Sequence, residues 1–172
     1  PNPFLPYEED LFVADVSDTH LCLLNKFKVL DDHVLIVTRE FEHQEHLLNR
    51  ADFEALWLCL REGEGLGFYN GGELAGASQP HKHLQLLPLP LDPELPSVPI
   101  EPLLAEATCE GRDDGLGSIP GFDFLHRFAR FEPELWQKPE AAAERSLELY
   151  GLMMSDLDIA SPDDTKQQRP YN

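Results

Sequence analysis

The chain has 172 residues, 42% of them hydrophobic, and a formal net charge of -19, so it can bury one sizeable core behind an acidic surface. That charge argues against a nucleic-acid-coating role, because gripping a polyphosphate backbone depends on Lys and Arg neutralising it. No apolar run approaches the roughly 20 residues that cross a bilayer, and PNPFLPYEED opens the chain with neither a basic segment nor an apolar signal region, so a cytoplasmic location is expected. Cys22, Cys59 and Cys109 are odd in number and lack CxxC spacing, which reads as free thiols rather than a disulfide framework or a thiolate zinc site.

In chain order, LFVAD, HLCLLNKF and HVLIVTRE are short runs rich in leucine, valine and phenylalanine, and they predict three strands of an antiparallel meander. Phe53, Leu56, Trp57 and Leu60 then recur at helical spacing. With Asn49 as cap and Asp52 in the first turn, a helix is expected from Asn49 to Glu64, ending near the Gly63 to Gly67 glycines. GFYN, the pair Gly71 and Gly72, and the loop LAGASQP lead into HKHLQLLP, which reads as a strand. The proline-rich stretch from Pro88 to Pro102 predicts an extended excursion, with a short helix at PLLAEA. GRDDGLGSIPG reads as a mobile turn region and FDFLHRFARF, by its alternation, as a further strand. Ala143, Leu147, Tyr150, Met154 and Leu157 mark one apolar stripe on a last helix, from about Pro139 to Leu157. The fold class expected is α+β, a half-open antiparallel sheet with the first helix on one side and the last packed near the later strand.

The chemistry concentrates in NGGELAGASQPHKHLQ. On a strand, the period of two puts His81, His83 and Gln85 on one face and Lys82, Leu84 and Leu86 on the other. A neutral imidazole in that row can attack a phosphorus as a nucleophile, and a glutamine amide can donate to a phosphate oxygen without repelling it. The loop of Gly76, Ala77, Ser78 and Gln79 is suited to bring backbone N–H groups close to an anion. Pro80 sets it before the strand. Two plainer readings of HKH stand beside this one: hydrogen-bonded strand histidines, or transition-metal ligands. No companion cluster of Cys, Asp or Glu lies nearby in the sequence to complete a metal site.

HKHLQ resembles the active-site strand of the histidine-triad superfamily in its transferase form, where glutamine replaces the third histidine of the hydrolases. The longer GASQPHKHLQ, with NPFLPYEEDLFV and NKFKVLDDHVLIVTREFEHQ in order before it, is similar to the diadenosine tetraphosphate phosphorylases (ATP adenylyltransferases), most strongly up to about Pro88. The resemblance implies a histidine-triad-like fold and makes His83 the nucleophile that takes AMP, Gln85 its phosphate-contacting partner and His81 a support. It further implies that Asn25, Lys26, Asn70 and Gly76 through Gln79 bind nucleotide. His33 falls where superfamily members keep a histidine beside the active strand, and reads equally as a hydrogen-bonded strand residue; Lys26 reads alternatively as a solvated turn lysine.

The resemblance implies a two-step transfer. Phosphorolysis of diadenosine tetraphosphate gives ATP and ADP through an adenylyl-histidine, with a divalent cation, magnesium, accompanying the nucleotide and no tightly bound cofactor. Nucleotides and phosphate are the expected partners. The rivals are a histidine-triad hydrolase, disfavoured by Gln85; a hexose-1-phosphate uridylyltransferase, disfavoured by the missing cysteine pairs; and a non-catalytic nucleotide-sensing module. One domain over residues 1–172 is expected, and the start at PNPF and the final RPYN suggest a fragment in which residues 170–172 open a C-terminal domain.

Overall fold

Three short apolar runs near the N-terminus pair in succession as antiparallel strands: β1 (Phe12–Asp15), β2 (His20–Leu24) and β3 (Val34–Thr38). They belong to a computed structural model that describes residues 2–28, 30–94, 98–107, 115–161 and 164–172. The first helix, α1 (Arg50–Leu60), begins at a reciprocal capping box. The Asn49 side chain accepts from the N–H groups of Ala51 and Asp52, and the Asp52 carboxylate accepts from the Asn49 N–H at 2.7 Å.

Helix α1 is shorter than the sequence suggests. It ends at Leu60, and Gly65 and Gly67 lie inside a strand, β4 (Gly65–Phe68), that sequence reading did not identify. A Cβ on Gly65 would sit 2.7 Å from Leu86 Cδ1, and one on Gly67 2.7 Å from Leu56 Cδ1. Close packing against the neighbouring strand and beneath α1, not helix termination, is what these glycines serve. Strand β5 (His83–Pro88) inserts antiparallel between β3 and β4, giving the order β1-β2-β3-β5-β4.

The two faces of the sheet carry different cover. On one, Ile36 and Leu84 pack against Phe53 and Trp57 of α1 and against Ala142 and Ala143 of the last helix. On the other, Phe4 from the N-terminal segment packs on Leu21, Leu23, Leu35 and Val37. The α+β class is as expected.

Downstream, α2 (Glu101–Ala105) matches the expected short helix. FDFLHRFARF forms no strand: Phe128 makes an isolated bridge to Gly117, the rings of Phe122 and Phe124 stack, and Phe131 lies edge-on to Trp57 of α1. Its alternating aromatics stack on one another and on a helix rather than pairing with a sheet edge. Helix α3 (Pro139–Asp156) accordingly packs on α1, with the Trp57 indole N–H donating to Ser146 Oγ at 2.9 Å. Its buried face is Ala142, Ala143, Ser146, Leu149 and Met154, while Leu147, expected in the stripe, is exposed. Small residues set this face because they let the two helices approach. Cys22 and Cys59 are free thiols; Cys109 and residues 111–114 of the expected turn region lie outside the described residues. No helix among the described residues is long and apolar enough to cross a membrane.

One buried polar network ties these layers together. Lys82, fully buried, points away from His83 toward α1 and donates to Asp52 Oδ2 at 2.5 Å, Glu42 Oε2 at 3.2 Å and the Leu47 carbonyl at 3.0 Å. Asp52 Oδ1 meets His20 Nε2 of β2 at 3.0 Å. Burial alone would raise the Asp52 pKa, but His20, Lys82 and the Asn49 N–H together outweigh it and hold the carboxyl below its usual range. Removing one partner strands the other charge in the core. Asp52→Ala is therefore expected to cost about 3–5 kcal/mol, read as a lowered urea midpoint, whereas Asp31→Ala, which breaks an exposed pair with Lys28, leaves the midpoint in place.

Candidate functional site

Strand β5 carries the site because its alternation sorts side chains between two environments. Lys82, just before the strand, and Leu84 within it go to the helical face; His83 and Gln85 go to the face covered by the N-terminal segment, where a cleft of about 390 Å³ opens. His83 forms its floor, opposite Val37 of β3, and Gln85 lies between Leu35 of β3 and Phe68 of β4.

His83 is held on every side but one. Its main-chain N–H donates to Gln44 Oε1 at 2.7 Å, and Gln44 Nε2 returns hydrogen bonds to the carbonyls of His83 and Asn70, both at 3.0 Å. Its ring Nδ1 lies 2.8 Å from the carbonyl oxygen of His81. A carbonyl only accepts, so Nδ1 carries the proton and Nε2 keeps a lone pair. Burial chiefly holds the His83 pKa below the usual 6.5, with the His81 carbonyl acting in the opposite sense. The ring is thus neutral near pH 7, with a fixed tautomer.

His81 shares this face, its ring and that of His83 both packing on Phe4, but it precedes the strand as an isolated bridge residue and does not line the cleft. Its ring is spent on Thr38 through Nε2 and on Asn2 through Nδ1. His81, expected as a support of the nucleophile, reaches His83 through its main-chain carbonyl.

The 70–79 loop is likewise more particular than the sequence suggests. Gly72 and Gly76 adopt φ of +86° and +101°, a region that disfavours side chains, and frame a single 3-10 turn at Glu73–Ala75. The N–H groups of Gly76 and Ala77 are used inside the loop, on the carbonyls of Glu73 and Gly72. Among the described hydrogen bonds, those of Ser78 and Gln79 are not used, so the expected four-residue nest reduces to two donors. Gly76, Ser78 and Gln79 line the cleft with Asn70; Ala77 is buried behind them. From the other side of the loop, Gly71 N–H donates to the Tyr171 carbonyl at 2.8 Å, Gln167 donates to the Gly71 carbonyl, and Asn172 reaches the Ala75 carbonyl.

Asn25 and Lys26 stand at the opposite wall, at the end of β2. Lys26 Nζ pairs with Glu8 at 2.7 Å, both about half exposed, so this is a soft contact at the rim. Asn25 and Gln85 both contact the His33 ring: Asn25 Nδ2 is 3.3 Å from Nδ1, and Gln85 Oε1 is 3.0 Å from Nε2. Sequence reasoning missed other parts of the cleft, among them Phe4, Tyr7 and Glu8 of the N-terminal segment and Phe68 of β4. The likeness of NPFLPYEEDLFV to a known family marked that segment without giving it a role. Gln44, uncharged and far from the motif, gave no signal.

With this geometry in view, the relatives are informative. Residues 1–106 match the Ap4A phosphorylase N-terminal domain. Diadenosine 5',5'''-P1,P4-tetraphosphate phosphorylase 2 of Saccharomyces cerevisiae is 33% identical over 126 residues, 65% of this chain and 36% of that protein. The crystal structure of yeast Ap4A phosphorylase Apa2 superposes over 99% of this chain and 61% of its own, with a TM-score of 0.72 and 24% identity, which speaks to the fold. Apa2 in complex with AMP gives a TM-score of 0.65 at 29% identity over 87% of this chain and 55% of that one. This chain therefore spans about a third of the curated relative's length and about three-fifths of the solved one's. It belongs to the Ap4A phosphorylase N-terminal domain family.

Proposed function

We propose that the chain carries the adenylyl-transfer site of an ATP adenylyltransferase that reversibly phosphorolyses diadenosine tetraphosphate. The observation that carries this reading is the 2.8 Å contact between His83 Nδ1 and the His81 carbonyl, which leaves Nε2 unprotonated on the floor of a cleft. Nε2 attacks an α-phosphorus, a nitrogen–phosphorus bond forms, and the bond to the bridging oxygen breaks, releasing ATP. The His81 carbonyl stabilises the positive charge that the ring takes up. An oxygen of inorganic phosphate then attacks the same phosphorus, the nitrogen–phosphorus bond breaks, and ADP leaves with the ring neutral again.

The surroundings suit a polyphosphate. Gln85 and the N–H groups of Ser78 and Gln79 can donate to non-bridging oxygens. Lys26 can exchange its rim contact with Glu8 for a phosphate. Glu8 is the carboxylate among the described residues lining the cleft, and no group of three or more His, Cys, Asp or Glu side chains among those residues can hold a metal ion. In this reading magnesium arrives on the nucleotide, held by phosphate oxygens.

Incubating the full-length protein with labelled diadenosine tetraphosphate, magnesium and no phosphate, then quenching in alkali, is expected to leave an acid-labile adenylyl group on His83 that chases to ADP when phosphate is added. His83→Ala should abolish the label and lower turnover by more than about 1,000-fold. Tight nucleotide binding without label would replace this mechanism with a sensing role.

The acid limb of kcat/KM supplies a second check. Because burial lowers the folded pKa of His83, the nucleophile stays neutral down to 6.5 and beyond, so activity should be flat to about that pH and fall only below it. An unfolded chain takes up the proton first as pH falls, so this residue's contribution to stability is lost over the same acid range, below about 6.5. An acid limb centred above 6.5 would count against a buried neutral His83.

A further inference from the structure

We propose that His33 is a positioning residue that decides which end of the Gln85 amide meets a phosphate. The proposal rests on the cleft being a nucleotide site. An amide side chain has two ends of nearly equal size and opposite polarity; facing an anion, the NH2 attracts and the oxygen repels. Covalent geometry does not choose between them. In this chain the choice is traceable to a group that can only donate.

That group is the main-chain N–H of Phe27, which donates to Asn25 Oδ1 at 2.9 Å. The Asn25 amide is thereby turned with its NH2 outward. This NH2 lies 3.3 Å from His33 Nδ1 and 3.5 Å from Nε2, and it donates to the nearer nitrogen. Nδ1 must accept, so a neutral His33 carries its proton on Nε2. Nε2 lies 3.0 Å from Gln85 Oε1 and donates to it. The Gln85 oxygen is occupied, and both protons of its NH2 remain for the cleft, two residues along β5 from His83.

The arrangement is rigid at both ends. Asn25 N–H bonds the His33 carbonyl at 2.8 Å, fixing the ends of β2 and β3 together, and His33 as a residue is 3% exposed. Burial also disfavours a second proton on the ring, which would set an N–H against the Asn25 NH2. His83 and His33, both lining the cleft, therefore hold opposite tautomers: Nδ1–H where a lone pair must face the ligand, and Nε2–H where an amide must be turned.

Two measurements test this on the full-length protein. Long-range proton–nitrogen NMR of histidine-labelled protein should show His33 protonated at Nε2 and His83 at Nδ1; a His33 ring protonated at Nδ1 overturns the proposal. A double-mutant cycle then uses AMP as the probe. His33→Phe should weaken AMP binding about tenfold while Gln85 is present, and cause no further loss in a Gln85→Ala background. Equal losses in the two backgrounds would reduce His33 to a structural role, and failure of the unaltered protein to bind AMP would leave Gln85 no phosphate to meet; either result overturns the proposal. Neither readout needs turnover, so absence of an adenylyl-histidine would sink the transfer mechanism without touching the orientation of Gln85.

Discussion

Asp52 is the point on which the site is hung. One carboxylate closes the capping box of α1, receives the buried ammonium of Lys82, the residue just before β5, and meets His20 on β2. Desolvating such charges costs several kcal/mol per ion, and their attraction recovers it only when every lone pair and proton is used. Here both oxygens are occupied. A slip of β5 by one residue would send Lys82 to the cleft and His83 to the helices. The pair therefore fixes which face His83 occupies, and a hydrophobic contact at the same place could not distinguish the two registers so sharply.

Neutrality is the second constraint. The chain bears a net charge of -19, yet the parts of the cleft that suit a phosphate are mostly uncharged: an amide, two main-chain N–H groups, a hydroxyl-bearing loop and imidazoles kept neutral by burial. Fixed dipoles of this kind act at close range and do not depend on the distant field, which salt screens within about 8 Å. The acidic surface and the proposed anion-binding role of the cleft are compatible for that reason.

Legibility in the sequence followed the range of the interactions concerned. HKHLQ declared its two faces because strand alternation is local, and Asn49 with Asp52 declared the start of α1 because a capping box spans four residues. Strand β4 was hidden by its own glycines: Gly65 and Gly67 read as a helix stop, whereas their absent side chains make room for Leu86 and Leu56. FDFLHRFARF alternated as a strand would, but a strand needs an edge to pair with, and its rings found one another and Trp57 instead. Phe4 and Gln44 act on His83 across some 40 to 80 residues of sequence, and nothing in their neighbours indicates it. The carbonyl of His81 was invisible for a different reason: a side-chain reading does not consider what a main chain accepts.

The bonds from Gln167, Tyr171 and Asn172 to the back of the 71–75 loop join positions nearly 100 residues apart. Contacts of such separation form late, after the local strands and helices have taken shape. On a ribosome, where chains emerge from the N-terminus at about 5–20 residues per second, β1 through β5 and α1 can assemble well before residue 171 exists. The wall of the cleft would stay loose through that interval. The shape of that wall is thus acquired only once residues 167–172 have joined the loop, and a nascent chain with a finished sheet does not yet have it.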